Sequence, residues 1–73
     1  MSIKETIVAI VAEYKNVDPA EIKTDAPFRE LGLDSLDVAE LLLKIEEELQ
    51  VMLEPSPAYD TIDKLAAYIE AQA

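Results

Sequence analysis

Ser35 stands between two aspartates in the run Leu31-Gly32-Leu33-Asp34-Ser35-Leu36-Asp37, and it is the side chain best placed to receive chemistry. Where a helix begins, a serine reads first as a cap, its hydroxyl satisfying a backbone amide that the helix leaves open. A second reading starts from the same amides. Together with the positive end of the helix dipole they form an anion site, so a phosphate carried on Ser35 would sit at a favourable place. Asp34 and Asp37 add local repulsion toward such a phosphate, which suggests another task for them, such as gripping a basic modifying enzyme. Catalysis by Ser35 itself is disfavoured. The chain has no histidine and no cysteine, so it lacks the usual general base, the commonest metal ligand and the most reactive nucleophile. No catalytic residue and no metal site is expected, since no stretch fits the spaced oxygens and sixth-position glycine of an EF-hand loop.

The elements that must hold this run can be read from spacing. Ile3, Ile7, Val8, Ile10, Val11 and Tyr14 recur at helical intervals, and Ser2 with Glu5 forms a capping-box pattern, so a first helix runs from about residue 3 to about residue 15. Asp18-Pro19 predicts a cap followed by a single turn through Ala20, Glu21 and Ile22. The rest of residues 16–32 reads as a long loop with one or two short turns, pinned by Ile22, Phe28 and Leu31 and ended by Gly32. Behind Ser35, Val38, Leu41, Leu42, Ile45 and Leu49 mark the buried stripe of a second helix. Val51 and Met52 are expected near the core, and Pro55 and Pro57 stop regular structure. A short third helix around Ala58 and Tyr59 precedes a last helix, capped by Asp60 or Thr61, that turns Ile62, Leu65, Ala66 and Ile69 inward. The fold class expected is all-α, a small four-helix bundle of three main helices and a short third one, with a long first loop.

Composition narrows the function. Seventy-three residues make one domain, 1–73, with a core too thin for a deep private cleft. The formal net charge of −10 disfavours nucleic acid and anionic lipid and favours basic protein surfaces. No leader and no membrane span is read, and the absence of cysteine is compatible with a reducing cytoplasm, the address expected here. A monomer is expected. On the second helix Leu36, Ala39 and Leu43 lie off the buried stripe, rimmed by Asp34, Asp37, Glu40, Glu46 and Glu47. Such a strip could be covered by the loop, or could dock partners through charge steering and an apolar ridge.

The stretch from Leu31 to Asp37, with the acidic amphipathic helix from Val38 to Glu48 after it, resembles the Asp-Ser-Leu signature of acyl carrier proteins. The resemblance extends over nearly the whole chain in length and element order, although only this central stretch is motif-specific. It implies that Ser35 is modified with 4′-phosphopantetheine from coenzyme A by a phosphopantetheinyl transferase. The thiol of that arm would carry acyl groups as thioesters between basic-surfaced acyl-processing enzymes of fatty acid or related biosynthesis, and the chain itself would be no enzyme. It also implies that a chain attached at Ser35 slips between Phe28, Leu31, Val38, Leu41, Leu42, Ile45, Ile62, Ala66 and Ile69, residues that otherwise read simply as core. Two departures from the commonest fatty-acid carriers leave the pathway open: Leu33 stands where alanine is frequent, and the segment 53–57 is short and proline-rich. The tail from Tyr59 to Leu65 is similar to carriers of polyketide and nonribosomal peptide systems, so a stand-alone carrier of polyketide or aminoacyl intermediates is the alternative.

Overall fold

Three α-helices enclose one apolar core in a computed structural model that describes residues 2–54 and 59–72. α1 is Ile3–Lys15, α2 is Ser35–Leu49 and α3 is Ile62–Gln72, with α1 packed against both of the others. No strand occurs among the described residues, only an isolated antiparallel bridge between Pro27 and Thr61.

Each helix starts where local chemistry closes its first amides. Ser2 Oγ accepts from the Glu5 amide at 3.1 Å while Glu5 Oε1 accepts from the Ser2 amide at 3.2 Å, the reciprocal clasp expected from the sequence. Thr61 Oγ1 accepts from the Lys64 amide at 3.0 Å and caps α3. Asn16 and Gln50 close α1 and α2 in the left-handed conformation, at φ 60° and 54°.

The long first loop contains two 3₁₀ turns, Pro19–Glu21 and Phe28–Leu31. Asp18 caps the first through the Ala20 amide at 2.9 Å. The second ends at Gly32, whose φ of 82° admits few residues other than glycine, and its amide donates to the Arg29 carbonyl at 3.1 Å. Phe28 anchors this turn: its ring is buried, and its amide donates to the Asp60 carbonyl at 2.9 Å. The loop is thereby tied to the start of α3, a tie repeated by the Asp63 amide on the Thr24 carbonyl at 3.0 Å.

Ile7, Val11, Leu41, Leu42, Ile45, Ile62, Leu65, Ala66 and Ile69 are buried at the centre, as the helical spacing predicted. Met52 departs from expectation, at 83% exposed. The backbone beyond Gln50 is no longer helical, so successive side chains diverge: Val51 stays half-buried against the core, Leu53 is buried and Met52 between them points outward. Of the short third helix expected around Ala58 and Tyr59, Ala58 lies outside the described residues; Tyr59 itself is buried.

Candidate functional site

Ser35 is the first residue of α2 and is exposed. The cap of this helix is Asp34: its Oδ1 accepts from the Asp37 amide at 2.9 Å, and Asp37 Oδ2 accepts in return from the Asp34 amide at 3.2 Å. The serine hydroxyl is therefore not the capping group. The Asp37 amide is consumed by the cap, whereas the amides of Ser35 and Leu36 have no carbonyl one turn back inside the helix and stand at its positive end.

A cavity of about 380 Å³ opens beside Ser35, walled by Pro27, Phe28, Leu33, Val38, Leu42 and Tyr59, with Arg29, Asp34 and Asp60 also on its lining. Of the residues expected to line an acyl pocket, Phe28, Val38 and Leu42 do so; Leu31, Leu41, Ile45, Ile62, Ala66 and Ile69 are not on this wall. The reason is angular. Val38 and Leu42, four residues apart, share one face of α2, while Leu41 and Ile45 share another that points into the centre of the bundle. Leu31 is half-buried and packs on the core from the loop. Sequence reasoning missed Leu33 and Tyr59 as wall residues. Leu33 is buried although it follows a glycine in a loop. Tyr59 is held in place by its ring against Tyr68, centroids 4.8 Å apart, and by its hydroxyl, which accepts from the Glu54 amide at 3.1 Å. Burial pushes the Tyr59 phenol above its usual pKa.

The expected docking residues separate into two groups. Leu36 and Leu43 are 75% and 60% exposed, and Glu40 and Glu47 are exposed with them, while Ala39 and Glu46 are half-buried. Asp34 and Asp37 are engaged in the cap, and Asp37 is engaged a second time by α1. The Tyr14 hydroxyl donates to Asp37 Oδ1 at 2.6 Å and to Glu40 Oε2 at 2.9 Å, one phenolic proton serving two carboxylates. The Lys44 ammonium lies 6.0 Å from the Tyr14 ring centre, on the same helix as both acids. Tyr14 looked like one more residue of the apolar stripe; a phenol at the edge of such a stripe keeps its ring on the core and its polar tip free to reach across.

This bond sets a pH dependence. The Tyr14 hydroxyl, followed by the Asp34 amide, holds the Asp37 carboxyl below its usual pKa, and Lys15 adds to the effect. A carboxyl lowered by folding stabilises the fold above its unfolded value of about 4, and that contribution drains away as pH falls through the lower folded value. Tyr14→Phe is expected to flatten the fall of melting temperature below about pH 4. An acid limb of unchanged slope would contradict this assignment.

What the site can do chemically follows from these parts. It presents a hydroxyl to solvent at the positive end of a helix, beside an apolar cavity of a size that takes a small molecule, and it does so from a surface on which carboxylates outnumber cations. A family described as "Phosphopantetheine attachment site" matches residues 5–69. The chain belongs to this family, and its role is that of an acyl carrier protein, whose prosthetic group is 4′-phosphopantetheine. Among its relatives is an acyl carrier protein of Streptococcus thermophilus, 34% identical over 70 residues, covering 96% of this chain and 95% of that one. An acyl carrier protein of Helicobacter pylori is 37% identical over 73 residues, covering 96% and 94%. One of Phaeodactylum tricornutum is 40% identical over 65 residues, covering 85% and 86%. The crystal structure of a free-standing peptidyl carrier protein from an uncharacterised secondary metabolic pathway of Acinetobacter baumannii superposes with a TM-score of 0.83. It is 31% identical and covers 94% of this chain and 89% of that chain. The site fits the prosthetic group: the exposed Ser35 can take the phosphodiester, it stands at the positive end of α2, and it lies on the cavity lining. No helix among the described residues is long and apolar enough to cross a membrane.

Proposed function

We propose that Ser35 is the attachment point of 4′-phosphopantetheine and that residues 1–73 act as one carrier domain. The observation that carries this is the exposed Ser35 hydroxyl at the first position of α2, released from capping because Asp34 does that work. A phosphopantetheinyl transferase joins Ser35 Oγ to the pantetheine-bearing phosphorus of coenzyme A, and the nucleotide half leaves. The arm supplies the thiol that the chain lacks and presents its cargo as a thioester. The chain is a substrate-presenting partner and not an enzyme, a reading supported by its lack of histidine and cysteine. Its docking surface is the strip of Leu36, Ala39 and Leu43 rimmed by Asp34, Asp37, Glu40, Glu46 and Glu47. The exposure of both leucines and the net charge of −10 support basic-surfaced acyl-processing enzymes as partners, met by a monomer in the cytoplasm, and not nucleic acid. Incubation with coenzyme A and a broad-specificity transferase should add one phosphopantetheinyl unit by intact mass; an unaltered mass with an active transferase would refute the reading.

The cargo is an acyl intermediate of fatty acid or related biosynthesis, lodged at the wall of Phe28, Val38 and Leu42, with Leu31, Leu41, Ile45, Ile62, Ala66 and Ile69 available only if the core opens further. A medium-length acyl chain on the arm is expected to raise the melting temperature above that of the unacylated holo form, because it fills apolar space next to the core. Equal melting of the two forms, with unchanged chemical shifts for Val38 and Leu42, would count against it. A second reading, a stand-alone carrier of polyketide or aminoacyl intermediates, is supported by the tail from Tyr59 to Leu65 and by the likeness to the Acinetobacter baumannii peptidyl carrier. The mass of the thioester recovered from the native host separates the two.

A further inference from the structure

Arg29 is the chain's single arginine, and it lines the same cavity as Ser35. Among the described residues nothing pairs with its charge. The ion pairs among the described residues belong to lysines, Lys4 with Asp63 and Lys64 with Asp60, and Arg29 has no carboxylate partner among them. Two acids share its cavity, and neither forms an ion pair with it. Asp34 Oδ1 accepts from the Asp37 amide at 2.9 Å, and Asp60 Oδ1 accepts from Lys64 Nζ at 3.2 Å. The backbone at Arg29 is fixed, its carbonyl accepting from Gly32 and its neighbour Phe28 buried in the core, so the residue stays on the cavity lining while remaining exposed.

A guanidinium with no counter-ion among the described residues, in a chain of net charge −10, is suited to an anion the unmodified chain does not contain. The geometry points to Arg29 as the anchor of the arm's phosphate: it takes the anionic phosphodiester that modification places on Ser35. Charge-assisted N–H···O bonds from its planar fork hold the phosphate from the cavity side, and the Ser35 and Leu36 amides face it from the helix side. This rests on Ser35 carrying the arm. Its consequence is directional: the root of the arm leans over the wall of Pro27 and Phe28, and does not stand free in solvent. Neither Asp34 nor Asp37 forms an ion pair with Arg29, and the cap and Tyr14 bind one oxygen or both of each.

The test loads wild type, Arg29→Gln and Arg29→Lys from coenzyme A and follows each by intact mass, by the ³¹P resonance of the phosphodiester and by the Arg29 Nε–H resonance. Loading of wild type is expected to move Arg29 Nε–H. Arg29→Gln is expected to shift the ³¹P line toward that of free phosphopantetheine diester, with Arg29→Lys in between. Salt near 1 M, where screening reaches about 3 Å, should shift the wild-type line the same way. A ³¹P line identical in wild type and Arg29→Gln, or an Arg29 resonance unmoved by loading, overturns the proposal. So does a wild type that loads beside an Arg29→Gln chain that does not, since Arg29 would then serve the transferase contact. Failure of wild type itself to gain mass sinks the attachment at Ser35 together with this inference, and the mass alone identifies that case. Matching amide spectra of the unmodified proteins exclude a purely structural cause.

Discussion

Ser35→Ala is expected to abolish the gain in mass completely while leaving the fold close to wild-type stability. The chain has two other serines: the Ser2 hydroxyl is committed to the α1 cap, and Ser56 lies outside the described residues and outside the Asp-Ser-Leu run. The substitution removes an exposed hydroxyl at the first helical position and installs the best helix former, so the change in stability should stay within about 0.5 kcal/mol. Asp34→Ala is the informative contrast. It deletes the acceptor that holds the Asp37 amide at 2.9 Å, a loss worth about 1 kcal/mol, or roughly 4–8 °C in melting temperature for a domain of this size. Mass spectrometry and thermal melts of the pair therefore separate attachment from capping. Continued loading of Ser35→Ala would move the attachment to another residue, and a large drop in its melting temperature would show that the hydroxyl caps the helix after all.

The second large effect is expected in the core. Ile45 is 1% exposed and Leu43, two residues earlier on α2, is 60% exposed. Ile45→Ala should cost about 2–5 kcal/mol, the lost transfer energy plus an incompletely collapsed cavity. A chain this short has a total stability of only about 4–11 kcal/mol, so a large fraction would be lost and melting should fall by about 10 °C or more. Leu43→Ala should stay within about 0.5 kcal/mol, yet slow transfer to partners if the exposed strip docks them. Urea unfolding of both variants checks the first claim; equal midpoints would mean that Ile45 is not the support its burial indicates.

Local chemistry was legible, and long-range geometry was not. The limits of α1, the Ser2–Glu5 clasp, the Asp18-Pro19 turn, the break at Gly32 and the Thr61 cap all depend on residues three or four apart, where side-chain type and spacing decide the outcome. The proposed acceptor, Ser35, also comes from a short run, through the resemblance that the Leu31 to Asp37 stretch carries. The shape of the cavity was not. Leu33 and Tyr59 come to one wall from segments with no periodicity, and long-range backbone ties such as that of Phe28 to Asp60 bring those segments together. The Tyr14 bridge spans 23 and 26 residues, so the pattern that placed its ring could not name its acceptors. That two donors hold the Asp37 carboxylate, one of them from α1, was likewise beyond the reach of local spacing.

The clasps at the helix starts carry one last implication. Ser2 with Glu5, Asp34 with Asp37, and Thr61 with the Lys64 amide each close within three residues, needing no distant segment to decide where winding begins. Were the helices prised apart, every coil would keep its own starting mark, so the seams would shut again in the same alignment.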